Sequence, residues 1–329
     1  MITAFGPGRV NLIGEHTDYN DGLAMPFAIE RGVTVTAEPA RRFTVHARDL
    51  DEEDEFDEPE PAGGWRAFAR GMVAELRAAG HDVEPAELTI TGDLPQGSGL
   101  SSSAALETAL ALALLRAVPD DLEALAKLCS KVENEWVGAE TGLLDQFASL
   151  LARPGHALRI DFRSLDVHPV PLDLGDWQLV TVESGATHTH AASGYNQRRA
   201  ECRAACEKLG IASLRDATLD GLDGVLLRRV RHVLTENQRV DAMAQALDRR
   251  DLHTAAEILD ASHASLRDDY EASVPEVEDA VTQLKAAGAA GARMVGGGFG
   301  GSVLALLPPG AGRPRGALPV FPGGPARLL

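Results

Sequence analysis

The sequence predicts an α+β protein with two domains. A chain of 329 residues is long enough for two domains of ordinary size. Strand patterns occur at 2–5 and 33–48 and return at 156–173, whereas helical patterns fill most of 194–290. The proline-bearing end of 156–173 is the candidate boundary, so we expect domains at 1–173 and 174–329.

Local patterns predict the elements before this boundary. Residues 33–48 alternate between apolar and polar side chains, which indicates two strands joined near Pro39. Nine acidic residues lie between Asp49 and Glu60; they favour a solvated loop over an acidic ligand patch. Apolar residues at helical spacing predict a helix over 65–80. A strand at 88–92 leads into a glycine turn, and helices are expected over 104–118 and 120–137.

The elements after the boundary begin with a strand in WQLVTVES, residues 177–184. Helices follow from about 194 to 290, and a glycine-rich turn then leads into the strand pattern GSVLALLP. The segment after Pro308 is rich in proline and glycine, so we expect a loop and a short strand there.

Composition and charge exclude several classes of partner. There are 31 Lys and Arg against 49 Asp and Glu, and the formal net charge of −18 repels nucleic acid over most of the surface. No apolar run approaches the about 18 residues of a membrane span, and the first residues lack the apolar core of a signal peptide. Three cysteines imply no disulfide framework. We expect a cytoplasmic protein with no nucleic acid or membrane partner, and the oligomeric state is left open.

The stretch LPQGSGLSSSAAL (94–106) predicts an anion site. Gly97 and Gly99 allow positive φ and close approach of a ligand, and a helix begins at about Ser101–Ala104 with free N–H groups. One serine would suffice as a helix cap, and no Glu or Gln completes a capping box with any of the three. We therefore expect the additional hydroxyls to face phosphate oxygens and a metal ion.

Other phosphate-binding loops fit the sequence less well. A P-loop needs a Gly-Lys-Ser/Thr sequence, and no lysine is present at 94–106. The residues GGGFGG (296–301) match the dinucleotide-binding glycine pattern, but a strand pattern follows instead of a helix. No acidic residue follows Asp279 to bind a ribose. A nicotinamide-dependent oxidoreductase is therefore the weakest alternative.

Three motifs resemble those of the GHMP small-molecule kinases, and within them the galactokinases. PQGSGLSSSAA is similar to their central motif, GRVNLIGEHTDYNDG (8–22) to the galactokinase signature, and VGGGFGGS (295–302) to their third motif. The similarity extends from about residue 4 to 308. It implies a ribosomal S5 domain 2-like N-terminal domain, a ferredoxin-like C-terminal domain and an active site in the cleft between them.

The resemblance implies a role for each motif residue, with ATP and Mg²⁺ as cofactors. It makes Asp145 the base for a sugar hydroxyl and places Arg9 beside the transferred phosphate. It implies sugar contacts from Glu15, His16, Thr17, Asp18, Gly142 and Tyr195. It implies nucleotide contacts from Gly97, Ser98, Gly99, Leu100, Ser101, Ser102 and Ser103, with Trp65 and Phe68 flanking adenine. It places the metal on Ser103 and Glu133.

Each of these residues also has a purely structural interpretation. The acidic and basic residues of 9–18 could form ion pairs on a surface turn, and Glu133 could be an ordinary helix-face acid. Tyr195 could be one residue of an amphipathic helix. Trp65 and Phe68 could simply pack in a core. These alternatives are open on the sequence alone.

The chain departs from the family pattern in three places. It begins closer to the first motif than relatives do. Its tail after Pro308 lacks a helix that covers the second sheet, so we expect exposed apolar surface or an oligomer. Thr187 and His188 stand where relatives commonly have an arginine followed by another residue. We expect weaker nucleotide binding, and His188→Ala should change nucleotide affinity more than sugar affinity.

The implied function is ATP-dependent phosphorylation of α-D-galactose at the C1 hydroxyl, which gives galactose 1-phosphate. A related kinase for arabinose or an N-acetylhexosamine is an alternative. A non-catalytic sensor of galactose and ATP is another. The uninterrupted serine run and the presence of Arg9, Glu133 and Asp145 favour an enzyme.

Overall fold

The computed structural model describes residues 1–95, 99–139, 141–186 and 191–329, without the side chains of 191–193. The strands are β1 (Ile2–Asn11), β2 (Leu23–Ala24), β3 (Pro26–Pro39), β4 (Phe43–Ala47), β5 (Glu52–Phe56), β6 (Ala86–Gly92), β7 (His156–Asp161), β8 (Val167–Pro171), β9 (Gln178–Glu183), β10 (Gly291–Met294), β11 (Ser302–Leu307), β12 (Leu318–Pro319) and β13 (Arg327–Leu328). The helices are α1 (Arg66–Ala78), α2 (Ser102–Leu115), α3 (Leu122–Lys131), α4 (Leu144–Leu151), α5 (Ala191–Leu209), α6 (Gly224–Asp248), α7 (Leu252–Asp268) and α8 (Pro275–Ala286).

The first domain is a mixed sheet covered by helices. The strand order is β13-β1-β3-β6-β4-β5, and only the β4–β6 pair is parallel among the described pairings. Helix α2 is buried on nearly every side because it consists mainly of alanine and leucine. It lies so close to β1 that a Cβ at Gly6 would overlap the carbonyl oxygen of Ala105. This close approach brings the serine-rich start of α2 next to the end of β1.

The second domain has the strand order of a ferredoxin-like sheet. The order is β10-β11-β9-β12, and every described pair is antiparallel. Both faces are covered because residues on both sides of β11 are apolar. Leu304 and Leu306 pack in one cluster with Val10 of the first domain, whereas Val303 and Ala305 pack in a cluster with helices of the second domain. A small third sheet has the order β2-β7-β8; β2 lies between β1 and β3 in sequence, whereas β7 and β8 lie between β6 and β9.

The tail links the two domains. Residues 308–317, all of them described, contain no helix, as expected from the sequence. Strand β12 pairs with β9, and β13 then pairs with β1 of the first sheet. Strand β11 is buried along its whole length. The apolar surface that we expected the short tail to expose on this sheet is therefore not exposed at β11. Two large apolar side chains of the tail are exposed: Phe321, just after β12, at 55%, and Leu329 at 67%.

Most predicted elements form close to their expected bounds, and the acidic segment is the main correction. Residues 52–56 are the edge strand β5 and not a solvated loop. Charged residues disfavour strands, but here arginines compensate the charge of the acidic residues: Arg70 pairs with Asp54 at 2.8 Å.

The helix predicted over 120–137 is α3 followed by a π-helical turn, Val132–Val137, which carries Glu133. No helix in the described ranges has the length and apolar character needed to cross a bilayer.

Candidate active site

A cavity of about 420 Å³ lies between the two domains. The first domain contributes the end of β1, the turn after it and the starts of α2 and α4. The second domain contributes Tyr195 of α5 and the glycine-rich turn 295–301 between β10 and β11. All three motifs singled out in the sequence therefore meet at one site, although residues 23–294 separate the first from the last.

The pair Arg9–Asp145 lies in the wall of this cavity. Arg9, on β1, donates from Nε to Oδ1 of Asp145 at 2.6 Å and from Nη2 to Oδ2 at 2.8 Å. Its Nη1 donates to the carbonyl of Gly99 at 2.6 Å. Both planar groups are thus fixed by a bidentate contact, which is the strong form of an ion pair. The guanidinium is held at the loop that precedes α2.

The serine hydroxyls do not cap α2. Ser101 is at the N-cap position with a left-handed φ of 63°, and its side chain makes no capping hydrogen bond. The Ser101 hydroxyl donates to Asp145 Oδ2. The Ser103 hydroxyl donates to Glu133 Oε1 at 2.8 Å. The N-cap residue therefore leaves the first N–H groups of the helix without a side-chain cap, and Ser101, Ser102 and Ser103 line the cavity, as an anion site requires.

Glu133 and Ser103 form a pair of hard oxygen donors on the cavity wall. Glu133 is 5% exposed, and burial raises its pKa, with the charge of Asp145 adding to the shift. The described residues contain no cluster of three or more His, Cys, Asp or Glu that would form an all-protein metal cage. Mg²⁺ keeps several waters and uses one or two protein oxygens beside substrate phosphates. A hydroxyl and a carboxylate beside an anion site fit that ion.

The turn after β1 presents Asp18 to the cavity. Burial raises the pKa of Asp18 to about 6. Hydrogen bonds from backbone N–H groups lower this pKa, whereas the negative charge of Asp145 raises it further. Gly142 lies against this carboxylate: a Cβ at Gly142 would overlap Asp18 Oδ2. Glycine is therefore required at position 142 for Asp18 to occupy its place.

An arginine that the sequence did not single out holds Glu15. Arg293, on β10, is fully buried and donates from Nη2 to Glu15 Oε2 at 2.5 Å. Its Nη1 donates to the carbonyls of Asn11 at 3.0 Å and Leu12 at 2.9 Å. The Gly296 N–H donates to Glu15 Oε1 at 2.8 Å. The second domain therefore fixes the backbone and the carboxylate of the first motif.

Helix α6 makes two further contacts to this turn. Glu236 Oε1 accepts from the Gly14 N–H at 3.1 Å, and His232 Nε2 lies 3.1 Å from the carbonyl oxygen of Glu15. Both side chains are fully buried. Their signal in the sequence is a histidine and a glutamate inside an otherwise ordinary helical pattern, which alone does not indicate a partner more than 200 positions away.

Comparison with known proteins identifies the family. Residues 67–153 match the model of the GHMP kinases N terminal domain, 2–39 the galactokinase galactose-binding signature, and 243–314 the GHMP kinases C terminal domain. A galactokinase of Mycobacterium tuberculosis is 44% identical over 94% of this chain and 90% of its own length. The chain belongs to the galactokinase family. A galactokinase of Thermotoga petrophila is 41% identical over 93% of the chain and 89% of its own length.

A solved galactokinase also has this fold. The crystal structure of Lactococcus lactis galactokinase complexed with galactose matches with a TM-score of 0.91 at 33% identity, over 100% of this chain and 95% of that one. The resemblance inferred from the three motifs is confirmed, as is the two-domain GHMP kinase fold. The nicotinamide-dependent alternative is not supported by any of these matches.

The cavity brings together most residues that the galactokinase motifs implied. Those that line it are Arg9, Glu15, His16, Asp18, Gly99, Leu100, Ser101, Ser102, Ser103, Glu133, Gly142, Asp145 and Tyr195. Their roles stay predictions. Gly97 and Ser98 lie outside the described residues, as do Thr187 and His188.

Three predicted contact residues do not line the cavity. Thr17 is fully buried, and its hydroxyl lies 2.8 Å from the Gly14 carbonyl and 2.7 Å from that of Leu23, so it shapes the turn. Trp65 and Phe68 pack against the core of the first domain, and Trp65 Nε1 donates to Glu52 at 2.9 Å. The core-packing interpretation describes their contacts here, and a role beside adenine stays a prediction.

His16 is neutral and belongs to a buried polar chain. Burial lowers its pKa to about 3, and the charge of His232 adds to the shift. Nδ1 of His16 lies 2.8 Å from the Tyr19 hydroxyl, which lies 2.8 Å from that of Tyr270. Tyr270 in turn lies 3.1 Å from Cys202 Sγ. This chain fixes the ring of His16 at the cavity wall.

Proposed function

We propose that this protein transfers the γ-phosphoryl group of ATP to the C1 hydroxyl of α-D-galactose, giving ADP and galactose 1-phosphate. One observation carries the proposal: Arg9, Asp145 and Ser101 form a single hydrogen-bonded group where the start of α2 meets the turn of the galactose-binding signature. An anion site and a hydroxyl-accepting carboxylate are thus adjacent. Phosphoryl transfer consists mainly of positioning and charge stabilisation, which such a group supplies.

In this proposal Asp145 orients the hydroxyl that attacks. Its carboxylate accepts from Arg9 through both oxygens and from Ser101, so its position is fixed and its charge is compensated. A remaining lone pair of the Asp145 carboxylate accepts a hydrogen bond from the C1 hydroxyl. It then receives the hydroxyl proton as the bond between the sugar oxygen and the phosphorus forms. Arg9 carries the positive charge that offsets the charge on the transferred phosphoryl oxygens.

We assign the nucleotide to the loop and helix start at 99–103. Backbone N–H groups at the start of α2 and the hydroxyls of Ser102 and Ser103 bind phosphate oxygens. Ser103 and Glu133 would hold Mg²⁺, which would neutralise part of the negative charge of the phosphates. The glycine-rich turn 295–301 closes the opposite side of the cavity.

We assign the sugar to the side of the cavity formed by Glu15, His16, Asp18, Gly142 and Tyr195. A hexose presents only hydroxyls and a ring oxygen, and these residues offer two carboxylates, a neutral imidazole, a backbone amide and a phenol. The galactose in the Lactococcus lactis relative supports this choice of sugar. We also propose that the protein works in the cytoplasm, which its free cysteines, Cys129, Cys202 and Cys206, fit.

The test is ADP release with ATP, Mg²⁺ and a panel of sugars: galactose, arabinose, N-acetylgalactosamine and glucose. The proposal expects turnover with galactose and its loss in Asp145→Asn. Turnover only with another sugar would replace the substrate. Galactose and ATP binding by calorimetry without ADP release would support the sensor instead. An Asp145→Asn variant as fast as the parent would remove Asp145 from the mechanism.

A further inference from the structure

Gln146 connects two buried carboxylates beneath the cavity. It follows Asp145 on α4 and is fully buried. Its Nε2 donates to Glu107 Oε2 at 2.9 Å and to Glu133 Oε2 at 2.9 Å. A side-chain amide has two N–H groups, so each carboxylate takes one of them. No described contact of Gln146 reaches the sugar side of the cavity, and the proposed mechanism leaves this residue without a role.

The donors to Glu133 are divided unequally between its two oxygens. Oε2 accepts from Gln146 and also from the Thr141 hydroxyl at 2.7 Å. Oε1 accepts only from the Ser103 hydroxyl among the described contacts, at 2.8 Å. A serine hydroxyl can rotate its proton away and offer a lone pair. This division anchors the carboxylate through Oε2 and leaves Oε1 and Ser103 as the pair that can face a cation.

Glu107 holds Gln146 from below. It lies on α2 one helical turn after Ser103 and is fully buried. Its Oε1 and the Oε1 of Gln146 are both buried without a hydrogen-bond partner among the described residues. Each unsatisfied buried acceptor costs stability, and an apolar pair would avoid this cost. An arrangement that stability does not favour, next to an active site, points to a functional requirement.

We propose that Gln146 is a positioning residue for the divalent cation: it anchors Glu133 through Oε2, together with Thr141, so that Oε1 and Ser103 receive the metal. The inference rests on the proposed role of Glu133 as a metal ligand. Residues that orient a metal ligand typically change metal affinity 10- to 100-fold, roughly, when they are replaced.

The experiment measures Mn²⁺ binding to the ADP complex by electron paramagnetic resonance of free Mn²⁺. Gln146→Met keeps the length of the side chain and removes both hydrogen bonds. We expect Mn²⁺ affinity to fall by about 10- to 100-fold, while galactose affinity measured by calorimetry is unchanged. Thr141→Val, which removes the other donor to Oε2 at a partly exposed turn, should weaken Mn²⁺ binding in the same direction.

Thr108→Val is the matched control. Thr108 and Ser149 form a buried hydrogen bond of 2.9 Å between the same two helices, α2 and α4, without contact to Glu133. The control should lose stability but bind Mn²⁺ as the parent does. If Gln146→Met and Thr141→Val are folded and bind Mn²⁺ with parental affinity, the inference is overturned. Glu133→Gln separates the two proposals: parental Mn²⁺ affinity in that variant would refute the metal role of Glu133 itself.

Discussion

Arg293→Met should destabilise the protein strongly, because it leaves the Glu15 carboxylate buried without its cation. Arg293 is fully buried and Glu15 is 3% exposed. The substitution removes the 2.5 Å contact to Glu15 and both hydrogen bonds to the carbonyls of Asn11 and Leu12. Breaking one side of a buried ion pair costs about 3–5 kcal/mol. The free energy of unfolding of a native protein is about 5–15 kcal/mol, so the substitution should remove a large part of it.

The assay is urea unfolding of four proteins: the parent, Arg293→Met, Glu15→Gln and the double variant Arg293→Met/Glu15→Gln. Neutral glutamine at position 15 needs no counter-ion, and its single amide oxygen can still accept from the Gly296 N–H, so the double variant should be more stable than Arg293→Met alone. Galactose KM should rise in all three variants because Glu15 lines the cavity.

The pH dependence gives an independent check on Arg293→Met. Burial raises the pKa of Glu15, and Arg293 opposes that shift. Without Arg293 the pKa rises further. A carboxyl with a raised pKa in the folded state destabilises that state as pH increases from the unfolded pKa through the folded one. The destabilisation should therefore be smaller at pH 5 than at pH 8. A loss below about 1 kcal/mol at pH 8, the size of a surface ion pair, would refute the reasoning.

Three further predictions concern the cavity. Burial raises the pKa of Asp18 to about 6, and the ionised carboxylate accepts from sugar hydroxyls more strongly than the neutral acid, so galactose KM should rise as pH falls below about 6. A flat KM profile between pH 5 and 8 would contradict this. Gly142→Ala places a Cβ on the Asp18 carboxylate and displaces it. Because a displacement of about 1 Å can lower the rate about 100-fold, kcat/KM for galactose should fall strongly while ATP affinity is unchanged. Equal effects on both substrates would count against this prediction. Ser101→Ala removes a hydrogen bond to a charged group of about 1.5–3 kcal/mol, so kcat should drop about 10- to 100-fold; an unchanged kcat would show that Asp145 does not need Ser101.

The sequence predicts the part of the site that local motifs encode. The glycine turn and serine run before α2 indicate an anion site from chain geometry alone, and the structure places that helix start on the cavity wall. The roles proposed for Arg9, Asp145 and Glu133 rest on the family resemblance, because each is an ordinary charged residue in its local context. The structure adds their contacts, such as the bidentate pair of Arg9 with Asp145.

The contacts that hold the site together could not be predicted in this way. Arg293 is a single arginine in a short strand, and its partner Glu15 lies 278 positions earlier. Gln146 likewise acts between α2 and the turn after α3, which no local pattern relates. The edge strand β5 was missed for a similar reason: its acidic residues favour a loop, and arginines from other segments compensate them.

The central claim is that the terminal phosphate lies at the start of α2 and faces galactose held by the first motif. The most direct measurement is a crystal structure with galactose, Mg²⁺ and a non-hydrolysable ATP analogue. The account predicts the γ-phosphate on the amides and hydroxyls of 101–103, within reach of Arg9, and the C1 hydroxyl of galactose against Asp145. A nucleotide bound elsewhere, with the start of α2 empty, would contradict it.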